Sequence, residues 1–362
     1  VIGGLLGLAF AAEDTAWYLV PIAGYGSDDG FGGGGRFELT RGEPDDTPYR
    51  VGWMAMSYAT QSGYRDHQVR WDRTGLAQDR LRLTAFGSWR QWLHDGYYGL
   101  GGGTVRDPSA PDDYYTYNLF QPTARLTGRW ALRDDYSVFG AVNPTWTEVT
   151  AYPDTLLSEA PAPGVAGGVA VWLSTGLVHD TRDVEADPSE GHLVQVAARV
   201  DATSGVGGPL VELRGFASMA PRLTLGARVL GEWLFGDVPF YEQVHWGGLT
   251  PIAGFGGGDT VRGIPSGRYR GPGKALLNTE ARFRVAEVSV RDTSVALQLA
   301  PWGDVGAVGG SGPGAFVAAG GAVKLVVDEQ FVGRVDVGVG RDKGPDGPLP
   351  SLGIYLEFDH LF

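Results

Sequence analysis

The side chain in this sequence best suited to do chemistry is Arg262. It belongs to Val261-Arg262-Gly263-Ile264, inside a glycine-rich stretch covering residues 254–273. A guanidinium is a permanent cation with a planar fork of donors, suited to gripping carboxylates rather than to moving protons. Immediately downstream the sequence alternates with a period of two. Leu277, Thr279, Ala281, Phe283 and Val285 fall on one face of a strand, and Asn278, Glu280, Arg282 and Arg284 on the other. We read that polar face as pointing inward, with Arg262 reaching in to meet it. Gly263 permits close backbone approach at that point.

Other chemistry finds little support. The six histidines are scattered, without HExxH or comparable spacing. No GxSxG nucleophile elbow occurs. The acid-rich run from Asp180 to Asp187 lacks the spacing of an EF-hand calcium loop. No catalytic residue, metal or cofactor is assigned, and the chain is read as a non-enzyme.

The elements that would position Arg262 are strands. After residue 12, segments of ten or more residues alternate in character and are separated by turn-forming clusters. Glycine and proline interrupt nearly every window where a helix could run. Sixteen strands result: 17–26, 31–41, 49–60, 64–74, 79–92, 114–130, 136–150, 165–180, 192–202, 209–220, 222–235, 275–285, 293–304, 316–327, 331–341 and 351–362. Ser27-Asp28-Asp29-Gly30 reads as a tight hairpin turn. Pro21, in the first strand, lacks a ladder donor and marks an edge or weakly paired seam. The closing strand places Ile354, Leu356, Phe358, His360 and Phe362 on one face and Tyr355, Glu357 and Asp359 on the other.

Composition narrows what such strands can build. The chain has 362 residues, among them 58 Gly, 11 Trp, 15 Tyr, 15 Phe and no Cys. Disulfide scaffolds and thiolate metal sites are excluded. A net charge of −13 argues against nucleic acid as a partner and against a basic membrane-surface binder. No run of about 18 apolar residues exists, which excludes a helical membrane span. Residues 1–12 resemble the apolar region and small-residue cleavage site of a secretory signal, and we expect them to be its remnant. A buried first strand is the alternative reading.

Many of the strands exceed the usual five to six residues. Long alternating strands in this number fit a transmembrane barrel better than a soluble sandwich, because the apolar faces then meet lipid and the closed sheet pairs every backbone group. The fold expected is therefore all-β: a 16-stranded antiparallel transmembrane β-barrel, with the long loop over 237–273 on the extracellular side. Trp17, Tyr25, Trp53, Trp71, Trp130, Trp146, Trp233 and Tyr355 are the expected interfacial girdles. An even strand count puts both termini on one side.

An ordered set of short motifs resembles one family. Val20-Pro21-Ile22 with Gly24-Tyr25 and Ser27-Asp28-Asp29-Gly30-Phe31-Gly32 resembles its opening hairpin. Tyr97-Tyr98-Gly99-Leu100-Gly101 resembles its mid-barrel element. The stretch from Gly176 to Asp183, with Pro188 and Gly191, resembles its turn between strands eight and nine. Val261-Arg262-Gly263 resembles its signature loop, although the fourth residue, usually aromatic, is Ile264. Gly303-Asp304-Val305-Gly306 resembles its strand-13 acidic motif. The family is that of BamA/TamA-type outer-membrane assembly and transport proteins, the bacterial surface antigen barrels.

The resemblance implies a folded-in loop whose Arg262 pairs with Asp304 and Glu280 on the inner wall. It implies that Asp180, Arg182 and Asp183 are structural parts of a periplasmic turn. It also implies residence in the bacterial outer membrane, among its lipids, as a single barrel over residues 13–362. Periplasmic POTRA domains are not expected in the chain, so a separate protein partner would supply substrate recognition. The function implied is protein or lipid insertion or translocation, acting through a weak seam between the first and last strands at Pro21, Phe358 and Phe362. Two other readings stay open: a plugged barrel that anchors an envelope or surface complex, and a passive pore.

Overall fold

A computed structural model describes residues 8–12, 15–26, 30–43, 49–111, 113–290, 293–310, 312, 314–327 and 331–362. Nearly all of it is one antiparallel sheet. Its strands are β1 (Leu8–Ala12), β2 (Thr15–Gly26), β3 (Gly30–Arg41), β4 (Val51–Thr60), β5 (Tyr64–Gly75), β6 (Leu81–Gly96), β7 (Thr116–Phe120), β8 (Thr123–Arg133), β9 (Tyr136–Ala151), β10 (Gly168–Asp180), β11 (Gly191–Asp201), β12 (Gly207–Ala220), β13 (Leu223–Trp233), β14 (Gly273–Val290), β15 (Thr293–Val308), β16 (Gly314–Val327), β17 (Phe331–Gly344) and β18 (Gly347–Phe358). From β2 onward each pairs with its sequence neighbours, except that β7 and β8 lie end to end, and β18 lies beside β2 to complete the ring.

Among the described residues the spanning strands number sixteen. The short β7 and β8 both pair with β6 and β9, so they are one strand broken at Gln121-Pro122. The sequence alone suggests an unbroken strand over 114–130. The break falls where Pro122 offers no N–H to the ladder, and the register beside it shifts between Trp92 and Asp95. The five-residue β1 is an addition, antiparallel to β2. Residues 27–29 of the expected first hairpin turn, and residues 1–7, lie outside the described residues; Gly30 has φ +72°.

Burial along the strands is inverted relative to a soluble protein. On β17, Val335, Val337 and Val339 face out, while Arg334 and Asp336 are at most 2% exposed. On β14, Leu277 and Phe283 face out, and Asn278, Glu280 and Arg282 are buried. Water would penalise an apolar exterior of this extent. Lipid favours it, and pairing between neighbouring strands satisfies the backbone groups along most of the wall. Tyr25, Trp53, Trp130, Trp146 and Trp233 are exposed on the outer face, where aromatic girdles belong. Tyr355 does not join them: it is buried and points into the lumen.

The closing strand ends earlier than its alternation suggests. β18 stops at Phe358, and Asp359 takes φ +62°, a left-handed turn that aspartate tolerates better than most residues. The tail then turns inward, burying Leu361 and Phe362.

Candidate functional site

The loop between β13 and β14, residues 234–272, runs into the lumen and packs on the β13–β18 side of the wall. Phe255, Val261, Ile264 and Tyr269 are completely buried there. Small wall residues make the room. A Cβ on Gly306 of β15 would lie 2.7 Å from both Phe255 and Val261. Gly263 has φ +88°, and its Cβ would meet the backbone of β17 at 2.9 Å and 3.0 Å. Its N–H donates to the Tyr355 hydroxyl at 3.2 Å.

This approach delivers Arg262 to three carboxylates on three strands. Its Nε and Nη2 bond the two oxygens of Asp304 on β15 at 2.9 Å and 3.0 Å. Its backbone N–H adds a third bond to Asp304 at 3.0 Å. The remaining Nη1 donates to Glu280 of β14 at 2.7 Å and to Asp336 of β17 at 2.9 Å. Below the guanidinium lies Trp302, its ring centroid 3.9 Å from Cζ. Trp302 in turn covers Gly320 and Gly338, where a Cβ would stand 2.5 Å and 2.1 Å from the indole. The wall, the indole and the guanidinium therefore stack in layers. Burial pulls the Arg262 guanidinium down, but Asp304, Glu280 and Asp336 outweigh it and hold the group above its ordinary range.

Alternation puts Glu280 on an inward face, the resemblance adds Asp304 as a partner of Arg262, and the structure brings both to Arg262. Asp336 and Trp302 complete the socket and were not singled out in sequence. The alternation of residues 331–341 is a usable signal for Asp336, which shares an inner face with Arg334, Gly338 and Gly340. Further polar side chains brace the three carboxylates. Asn278 donates to Asp304 at 2.8 Å and to the Thr260 carbonyl at 2.6 Å. Arg282 and Lys324 both donate to Glu280, and Arg334 donates to Asp336.

Two further groups of contacts hold the loop. Near its start, Gly247 N–H donates to Glu232 at 3.0 Å, and Arg199 and Lys274 grip the same carboxylate. Near its end, Arg268 faces Asp342 at 2.7 Å, and Arg270 donates to the Gly96 carbonyl at 2.7 Å. Loop and wall are thus tied along the whole descent.

The turn of residues 181–190 and the chain tail meet at the opposite end. Arg182 closes on Asp180 at 2.9 Å and 3.0 Å. Asp183 accepts N–H bonds from Val184 and Ser189, both at 2.9 Å. These carboxylates are engaged in shaping the turn. His360 bridges Asp187 at 2.7 Å and Lys324 at 3.0 Å. Since Lys324 donates to Nδ1, the imidazole proton sits on Nε2, directed at Asp187. Burial and the neighbouring Arg282 and Lys324 push His360 down to about 3, against the opposing pull of Asp187.

Of the expected seam residues, Pro21 faces outward on β2 opposite Gly35 of β3. Phe358 ends β18 and lies 5.7 Å from the Phe331 ring. Phe362 is not at the seam. It stacks 6.1 Å from Phe216 in the lumen, and its carbonyl accepts a bond from Arg282 at 2.9 Å. Those luminal cations offer the tail partners that an extended strand edge in lipid does not. The seam itself is the thinnest join among full-length neighbours. Gly24 of β2 abuts Leu356 of β18.

No protein-family model matches the chain, and a search of curated proteins found no match. Solved structures do resemble it. BamA from Haemophilus ducreyi lacking POTRA domains 1–3 aligns over 96% of this chain and 70% of its own, at 11% identity and a TM-score of 0.56. CdiB from Escherichia coli aligns over 97% of this chain and 63% of its own, at 13% identity and a TM-score of 0.63. CdiB from Acinetobacter baumannii aligns over 96% and 60%, at 12% identity and a TM-score of 0.52. The chain thus spans somewhat less than two thirds of either CdiB chain. At these identities the likeness is one of fold: an all-β transmembrane barrel built like those of BamA and CdiB.

Proposed function

We propose that this barrel resides in the bacterial outer membrane and acts in polypeptide insertion or translocation, through the join between β2 and β18. The observation that carries the reading is the contrast between that join and the rest of the wall. The two strands touch over a much shorter stretch than other full-length neighbours do, and β3, next in the ring, has glycine at four successive positions, 32 to 35. Opening a wall in lipid costs the ladder bonds that are broken, so a short ladder opens most readily. The straight route through the lumen is obstructed by the loop carrying Arg262. Recognition of the substrate falls to a separate protein partner.

The test is a switchable lock. A Cβ built on Gly24 lies 3.3 Å from Leu356 Cβ, close to the separation of about 3.5–4.5 Å in disulfides. With no native cysteine to interfere, Gly24→Cys with Leu356→Cys should cross-link cleanly. In cells relying on this copy, oxidation should reproduce the outer-membrane and surface protein losses caused by deleting the gene, and reductant should reverse them. A fully cross-linked barrel that sustains a normal protein complement would overturn the mechanism. A deletion with a normal complement would overturn the function and favour the second reading, a plugged barrel anchoring an envelope complex, for which the tied-down loop is the supporting observation.

A further inference from the structure

The lumen is filled unevenly. The loop occupies the β13–β18 side, and a cavity of about 1390 Å³ remains, lined largely by the opposite wall. Many charged side chains around it are matched: Arg82 with Asp72, Arg199 with Glu232, Arg214 with Glu212. Arg125 on β8 is an exception. It is only 8% exposed, and its donors find neutral acceptors. Nε bonds Thr127 Oγ1 at 3.1 Å, and Nη2 bonds the Gly248 carbonyl of the long loop at 2.8 Å. No carboxylate pairs with it among the described residues, and the side chain lines the cavity.

Arg90 on β6, half-buried on the same wall, is a second cation without a carboxylate partner among the described residues. Its Nε is buried without an acceptor, and its guanidinium lies 5.1 Å from the Trp92 ring centroid. Arg125 is paired across the sheet with Phe86, which sets the two arginines four residues apart along the wall, about 13 Å at strand spacing. Arg125 leans toward Thr127 and Arg90 toward Trp92, so the two long side chains meet one ligand across that gap by swinging toward each other. The wall nearby carries hydroxyl and amide groups: Thr123 and Thr145 share a bond of 2.8 Å, and Asn143 donates to Thr123 at 2.6 Å.

A buried cation with no counter-ion is strongly unfavourable, and Arg125, with the half-buried Arg90 along the same cavity wall, offers positive charge to an anion. We propose that the lumen holds an oxyanion site in which Arg125 and Arg90 ligate a carboxylate or phosphate group, with the hydroxyl-bearing wall taking the polar groups attached to it. Arg125 also holds the Gly248 carbonyl, so occupancy of the site bears directly on the long loop. The proposal stands independently of the seam, since it asks only for ligand binding by the intact barrel.

The test is calorimetric titration of the purified barrel in neutral detergent, at fixed ionic strength in chloride. The probes are inorganic phosphate and glucuronate, with glucose as the uncharged control. Saturable binding of at least one anion, absent for glucose, is expected in the wild type. Arg125→Gln and Arg90→Gln should each weaken it at least tenfold. Arg125→Gln removes an unpaired charge, so its melting in chloride should not fall below that of the wild type. If that variant does not fold, Arg90→Gln carries the comparison. Phosphate preference over glucuronate would identify the ligand class as phosphoryl, and the converse as a sugar acid. No saturable binding of either anion, or affinities unchanged in a folded variant, would overturn the proposal.

Discussion

Replacing Arg262 by alanine removes the one cation shared by Asp304, Glu280 and Asp336, all at most 3% exposed. Breaking a buried ion pair by removing one partner costs about 3–5 kcal/mol, mostly from the charge left behind. The three carboxylates are not left equally exposed to that penalty. Glu280 keeps Arg282 and Lys324, and Asp336 keeps Arg334. Among the described residues, Asp304 keeps only the Asn278 amide and the residue-262 backbone N–H. The cost of Arg262→Ala should therefore fall in that range and concentrate on Asp304. Adding Asp304→Asn should recover about half of it, whereas adding Glu280→Gln should recover nothing and strand Arg282 and Lys324. Equilibrium unfolding of the refolded barrel in urea, with lipid or detergent held constant, gives each value, and the double-mutant cycle isolates the coupling. A loss below about 1 kcal/mol for Arg262→Ala, or equal rescue by the two second-site changes, would refute the assignment of Arg262 as the anchor of the loop.

Three other outcomes follow from the same geometry. Gly338→Ala places a Cβ 2.1 Å from the Trp302 ring, so the indole and the stacked guanidinium must shift, costing about 1–3 kcal/mol in the same unfolding assay; a neutral result would show that the stack is not tight. The tail should loosen in acid. His360 is held near 3 rather than its ordinary 6.5, so its contribution is complete above about pH 6.5 and declines as pH falls toward 3; Asp187, also lowered, gives the same sign at the acid end. Protease cleavage of the tail should accelerate between pH 6.5 and 4, and His360→Gln should flatten that profile. In planar bilayers the wild type should show little steady conductance, and Arg262→Ala should raise it; a large steady wild-type current would exclude a pinned loop.

The wall of this barrel was legible in the sequence because a membrane strand fixes each residue's environment by parity. Leu277, Phe283, Val335 and Val337 had one side available, and Glu280, Arg282 and Asp336 the other. Parity says nothing about height, however, and height decides which inward carboxylate meets Arg262. Register supplies it. Glu280 lies opposite Trp302, Trp302 opposite Gly320, and Gly320 opposite Gly338. That row is a carboxylate, an indole and two glycines. The missing side chains on β16 and β17 let the indole lie flat, which brings Arg262 down between β14 and β17. Asp336 becomes a partner because nothing bulky on β16 stands between it and Asp304. Seen from sequence, Asp336 is one of many inward charges and Gly338 one of 58 glycines.

The tail shows the complementary limit. Its alternation continues through Phe362, and parity would keep His360 and Phe362 facing lipid. Lipid rewards Phe362 in that position but has no partner for the His360 imidazole. Reversing the chain at Asp359 costs one left-handed residue. In return His360 gains Asp187 and Lys324, and the Leu361 and Phe362 carbonyls gain Arg228 and Arg282. Those partners come from β13, β14, β16 and the turn of residues 181–190, none of them sequence neighbours of the tail. A local pattern therefore continues past the point where the assembled lumen takes over, and the position of that handover is a property of the closed barrel.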